Sequence, residues 1–243
     1  MIPLILANWK MNGSLAAVQT WIQNFAAHLR QMPPKSTCVL CAPSVYLAEA
    51  QAAIKTHGLT DALFLGAQNC YSKDNGAFTG EVSALMLKEF GCRFVLVGHS
   101  ERRHLFKEDN ALVAHKFAAV QRAGLTPVLC VGETAEERSA GRTEAVIEAQ
   151  LAAVKDLKLP GGFEQAIVAY EPVWAIGTGQ TATPDIAGSV HRFIRRWGKM
   201  PILYGGSVNA DNAAALLAEP EVNGLLVGGA SLNASEFFKI SSG

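Results

Sequence analysis

The chain has 243 residues, 49% of them hydrophobic and 17% charged, and its 21 basic and 21 acidic side chains cancel to a formal net charge of zero. That balance leaves no electrostatic footprint for nucleic acid or an anionic membrane, and no apolar run nears the roughly 18 residues of a membrane-spanning helix. The length is enough to bury a large core, and five widely spaced cysteines, an odd number, do not make a secreted disulfide framework. Met1-Ile2-Pro3-Leu4 runs straight into an apolar stretch without a basic region or a cleavage site, so a soluble, cytoplasmic protein is expected.

In chain order, short apolar runs bounded by turn residues fall at Leu4–Ala7, Cys38–Ala42, Ala62–Ala67, Phe94–Gly98, Pro127–Val131, Ile167–Tyr170, Ile202–Gly205 and Leu225–Gly228. Between them lie helical patterns. Leu15, Val18, Ile22, Phe25 and Leu29 keep the spacing of one helix face, as do Val113, Phe117 and Val120 ahead of Gly124. Thr143–Leu157 and Asp185–Trp197 repeat it, the second behind Pro184 near its first turn. Strands alternating with helices over this length favour an α/β chain closed as a (β/α)8 barrel, a single domain over residues 1–243. Cys38 and Cys41 form a C-x-x-C inside a strand, where positions three apart face opposite ways, which argues against a redox or zinc pair.

Polar residues collect where the strands end. Asn8 and Lys10 follow the first strand, Gln68 and Asn69 the third, His99, Ser100 and Glu101 the fourth, Glu133 the fifth and Glu171 the sixth; the last two end in Gly205-Gly206-Ser207 and Gly228-Gly229. In a barrel these groups converge on one face, where active sites form. Any one of them taken alone is equally a structural strand-end residue. Glu171 opens Glu171-Pro172-Val173-Trp174-Ala175-Ile176-Gly177-Thr178-Gly179, a carboxylate followed by a segment with one stiff and one free end, which is the pattern of a flap that excludes water. The glycine turns allow backbone N–H groups to approach an anion, with Ser207 adding a hydroxyl and Gly228-Gly229 leading into a short helical stretch at Ser231. Lys10 is the cation within reach, with Asn8 on the same strand face to orient it. A base, an imidazole, an ammonium and a phosphate cradle together point to proton abstraction beside a carbonyl in a phosphorylated substrate, with no cofactor and no metal required.

Three other motifs lead elsewhere. Gly177-Thr178-Gly179-Gln180-Thr181-Ala182 imitates a dinucleotide fingerprint, but it is displaced from the strand end and no acid follows at ribose distance. Gly98-His99-Ser100-Glu101-Arg102 lacks the second glycine of a nucleophile elbow, and His99 and His104 lack a metalloprotease context.

Ala7-Asn8-Trp9-Lys10-Met11-Asn12, Gly98-His99-Ser100-Glu101-Arg102-Arg103, the segment from Ala169 to Gly179, Tyr204-Gly205-Gly206-Ser207 and Gly228-Gly229-Ala230 together resemble the triosephosphate isomerase family from first strand to last helix. The resemblance implies a TIM barrel that interconverts dihydroxyacetone phosphate and D-glyceraldehyde 3-phosphate through an enediolate, in glycolysis and gluconeogenesis. It implies Glu171 as the base, neutral His99 polarising the carbonyl and Lys10 stabilising the enediolate. Asn8, Gly177, Ser207, Gly228 and Gly229 would hold substrate, Glu101 would hold the Lys10 region, and residues 173–179 would form a lid. Gln180 replaces a lysine common in the family, and Ser139 stands where many members carry another residue. The Asn69–Val82 segment would insert into a second subunit, Thr79 near its tip supporting Lys10 and His99, to make a homodimer; without the resemblance it reads as a surface loop. Two other functions remain open on residues alone: a barrel acting on a longer phosphosugar, and a silent barrel kept for binding.

Overall fold

The computed structural model describes residues 2–176 and 181–242. Eight strands, β1 (Leu4–Asn8), β2 (Thr37–Ala42), β3 (Leu63–Ala67), β4 (Cys92–Val97), β5 (Thr126–Val131), β6 (Ile167–Tyr170), β7 (Ile202–Tyr204) and β8 (Gly224–Val227), pair in parallel in chain order. β1 closes the ring against β8, with Leu4 opposite Gly224 and Ala7 opposite Val227. Helices between the strands complete the expected (β/α)8 barrel. Strand limits differ by a residue or two from the apolar runs: β4 begins at Cys92, and β7 stops at Tyr204, before Gly205.

Period-two alternation divides the core. Leu6, Val39, Cys41, Leu96, Val128, Cys130 and Leu226 fill the barrel, while Ile5, Cys38, Leu40, Val95, Leu129 and Val168 face the helices. Cys38 and Cys41 therefore lie on opposite sides of one strand, and burial pushes both thiols up from their ordinary range. The helices are stopped and started by local chemistry. Ser14 Oγ accepts the Ala17 N–H at 3.1 Å ahead of the Leu15–Gln31 helix, and Thr183 caps Pro184–Arg195 with Pro184 in its first turn.

The second of these helices carries a buried imidazole with a measurable consequence. His191 is fully buried, its Nδ1 3.0 Å from the Glu221 carbonyl and its Nε2 without a hydrogen-bond partner. Burial depresses its pKa from the ordinary 6.5 to about 4. Unfolded chains therefore bind the proton more tightly than folded ones, so the contribution is complete above pH 6.5 and is lost as pH falls towards 4. The expected loss from this group between pH 7 and 4 is about 3 kcal/mol. His191→Asn, which keeps an N–H for the Glu221 carbonyl, is expected to flatten that part of the pH dependence of urea unfolding; an unchanged acid limb would contradict it.

Candidate active site

The strand-end residues do meet at one face. Asn8, Lys10, His99, Glu171, Ser207, Gly228 and Gly229 line a cavity of about 230 Å³ together with Ile176, Gly205, Gly206, Val208, Leu226 and Ala230. Gly177 lies outside the described residues. Thr79 stands exposed in the β3–β4 connection and does not line this cavity.

Glu171 follows β6 directly and is 2% exposed. Its Oε2 accepts the Ser100 N–H at 2.8 Å and its Oε1 lies 3.0 Å from His99 Nε2. Two neighbouring strands make room for it with glycine. A Cβ at Gly132, after β5, would overlap the Glu171 carbonyl oxygen, and one at Gly205, after β7, would stand 3.0 Å from Glu171 Cγ. Gly205 also spends its N–H on the Tyr170 carbonyl at 2.7 Å, so its place in the glycine turn serves the carboxylate's close approach and not anion donation. Behind Glu171 lies Cys130, whose thiol is driven well up, first by burial and then by the adjacent carboxylate.

His99 caps the Ser100–Leu105 helix. Its Nδ1 accepts the Glu101 N–H at 3.3 Å, which assigns the ring proton to Nε2, aimed at Glu171. A single tautomer, with its proton on Nε2, satisfies both contacts.

Lys10 is held in a left-handed conformation, φ 52°, a strain of about 1 to 3 kcal/mol for a residue with a side chain. Three contacts stabilise it. Its N–H donates to Asn8 Oδ1 at 3.0 Å, Gln68 Nε2 donates to its carbonyl at 2.9 Å, and its Nζ lies 2.6 Å from Glu101 Oε1. Asn8 thus acts on the Lys10 backbone rather than on the ammonium. Gln68 was visible in the sequence only as one more strand-end polar residue.

The two glycine turns differ. After β7, Ser207 gives its N–H (3.2 Å) and its hydroxyl (2.6 Å) to the Ala175 carbonyl, at the base of the segment that follows Glu171. After β8, Gly229–Leu232 forms a 3-10 turn whose leading N–H groups have no partner within it, and the space a Cβ would occupy on Gly229 is open. Pro172 precedes a second 3-10 turn, Val173–Ala175, and Trp174 Nε1 donates to Glu133 Oε1 at 3.0 Å. The fully buried Glu133 oxygen also receives the Tyr170 hydroxyl at 3.1 Å, and burial with this carboxylate alongside pushes the phenol up. No sequence signal linked Glu133 to Trp174, because residues 41 positions apart carry no local pattern.

A parallel barrel whose strand ends bring a carboxylate, an imidazole and an ammonium together beside an open glycine turn defines a (β/α)8 enzyme of small anionic substrates. A family model described as triosephosphate isomerase matches residues 3–243. Triosephosphate isomerase of Halorhodospira halophila is 49% identical over 247 residues, covering 98% of this chain and 96% of that one. The enzyme of Shewanella amazonensis is 47% identical over 252 residues, covering 99% and 96%. The crystal structure of triosephosphate isomerase from Bartonella henselae superposes with a TM-score of 0.85 at 39% identity, over 99% of this chain and 98% of that one. The chain belongs to the triosephosphate isomerase family. It is an isomerase of triose phosphates, and its place in glycolysis follows from that activity.

Proposed function

We propose that Glu171, His99 and Lys10 carry the interconversion of dihydroxyacetone phosphate and D-glyceraldehyde 3-phosphate in a single domain over residues 1–243. The observation that carries this reading is the 3.0 Å approach of Glu171 Oε1 to His99 Nε2 on the wall that also holds Lys10 and Gly228-Gly229. Glu171 takes a proton from one carbon of the substrate and returns it to the neighbouring carbon. Between the two transfers the negative charge rests on the enediolate oxygens, where His99 Nε2–H and the Lys10 ammonium face it, and His99 passes the hydroxyl proton of one oxygen to the other, so that the carbonyl and the hydroxyl exchange places. In the structure one oxygen of Glu171 accepts the Ser100 N–H and the other lies 3.0 Å from His99 Nε2, so the carboxylate must exchange the Ser100 N–H for the substrate carbon before it can act.

The phosphate is assigned to the turn at Gly228-Gly229, with Ser207 and Gly177 completing the contacts, while Asn8 positions the substrate. Ser207 has to release the Ala175 carbonyl to donate to an anion, which ties phosphate arrival to the base of the 173–179 lid. A lid closed over the enediolate keeps water away and suppresses loss of phosphate from it. A coupled assay on glyceraldehyde 3-phosphate, without added metal or nucleotide, tests the assignment: rapid turnover is expected, and a folded protein without it would refute it.

The homodimer belongs to the same proposal, as does a cytoplasmic setting, which suits five buried free thiols. A second cavity of about 380 Å³ opens beside the first, lined by Asn8, Lys10, Gln68, His99 and Glu101 along with Met11 and Phe106. Met11 is 97% exposed and Phe106 65%, apolar surface that a partner would cover. Phe78 is better accommodated than its sequence setting implies: it is 39% exposed, with its ring 4.6 Å from that of Tyr71. The connection is otherwise closed on itself by the Tyr71 N–H to Val82 carbonyl bond at 2.8 Å and pinned by Arg122 to Asp74 at 2.7 Å. Residues 75–80 at its tip are exposed, which suits entry into a second copy's cavity. Deleting Ser72 to Thr79 is expected to give a folded monomer, with activity reduced on the order of a hundredfold because about 1 Å of freedom returns to Lys10 and His99. Sedimentation and assay of one sample check it; a dimeric deletion variant, or a fully active monomer, would break the link.

A further inference from the structure

Trp21 lies on the Leu15–Gln31 helix and is buried. Its ring stacks on Phe25 with centroids 5.1 Å apart, and it meets Trp9 edge-on at 5.8 Å. Apolar packing accounts for the ring but not for its one polar atom. Trp21 Nε1 donates to the Ser231 carbonyl at 2.9 Å, inside the core and across most of the chain. Leucine, isoleucine or phenylalanine would supply apolar contact there, and none could make that bond.

Ser231 sits in the Gly229–Leu232 turn, and its N–H (2.9 Å) and Oγ (2.7 Å) both donate to the Gly228 carbonyl. The turn is therefore tied at its start by Ser231 and at its far end by the indole. The peptides between these ties, at Gly229 and Ala230, line the catalytic cavity. The Trp9 ring that packs against Trp21 belongs to the residue just before Lys10. One indole thus touches both the turn assigned to phosphate and the segment that carries the ammonium.

We propose that Trp21 is a positioning residue for phosphate recognition: its indole N–H sets the orientation of the Gly228–Ser231 turn and hence the direction of that turn's backbone donors. The proposal rests on the reading of this turn as the phosphate site. Trp21→Phe keeps an aromatic ring and removes the N–H, so the Ser231 peptide loses its tie and the donors go out of line. Since about 1 Å of misplacement can cost on the order of a hundredfold, a partial misalignment is expected to raise KM and the inhibition constant of inorganic phosphate together by about tenfold, with kcat within about twofold. Inorganic phosphate binds without chemistry, so its constant separates recognition from turnover.

Phe25→Leu is the control, because it removes packing from the same ring but leaves the Ser231 bond in place. It is expected to lower Tm with the phosphate constant unchanged. A folded Trp21→Phe protein with wild-type phosphate affinity, or a Phe25→Leu protein that loses as much affinity, would overturn the role. If Trp21→Phe does not fold, the wild-type protein still decides: the 15N-labelled Trp21 indole N–H resonance should move on titration with inorganic phosphate while that of Trp197 stays. A static Trp21 resonance at saturation overturns the proposal. Inorganic phosphate that fails to compete with substrate in the wild type would remove the phosphate reading of the turn, and the role of Trp21 with it.

Discussion

Glu171→Gln is expected to lower kcat by about a thousandfold, equivalent to roughly 4 kcal/mol of transition-state stabilisation, while KM stays near the wild-type value. The amide has nearly the same shape but cannot take a proton from carbon. Its hydrogen bonding also fits less well. The carboxylate accepts the Ser100 N–H through one oxygen and sets the other 3.0 Å from His99 Nε2, whereas glutamine can accept through only one terminal atom and must point its NH2 at the other group. His99 cannot relieve the conflict by changing tautomer, because its Nδ1 accepts the Glu101 N–H. A stability loss of about 1 kcal/mol should accompany the loss of rate. Steady-state kinetics and urea unfolding on the same preparation check both parts; a rate loss below tenfold would exclude Glu171 as the base.

Lys10→Met should reduce kcat/KM by at least about a thousandfold, because an uncharged side chain of similar length cannot offset charge developing on the enediolate. Stability should hardly move. The Lys10 and Glu101 side chains are 28% and 41% exposed, and an ion pair so open to solvent contributes about 1 kcal/mol or less. The bonds that hold the left-handed backbone, from the residue 10 N–H to Asn8 and from Gln68 to its carbonyl, survive the substitution. Near-normal turnover would exclude the electrostatic role, and a large drop in Tm would show that Lys10 serves the fold as much as the reaction.

By itself the sequence determined what depends on local periodicity and on residue type at strand ends. Apolar runs alternating with amphipathic stretches dictated a parallel barrel, since a strand buried on both faces and a helix buried on one leave different records in the chain. The opposite-facing Cys38 and Cys41 followed from the same period of two. Glu171, His99, Lys10 and the closing glycines were legible because a charged or flexible residue directly after an apolar strand has few structural uses, and a barrel carries all such ends to one face. Only the tertiary structure decided which hydrogen-bond donors remain free. Ser207 and Gly205 read alike as part of an anion turn, yet one is committed to Ala175 and the other to Tyr170. Glu133 under Trp174, Gln68 behind Lys10 and Trp21 under Ser231 join residues separated by 41, 58 and 210 positions. Such pairs depend on how the ring closes and on distances of about 3 Å between side chains and backbone, which leave no periodic trace in the order of residues.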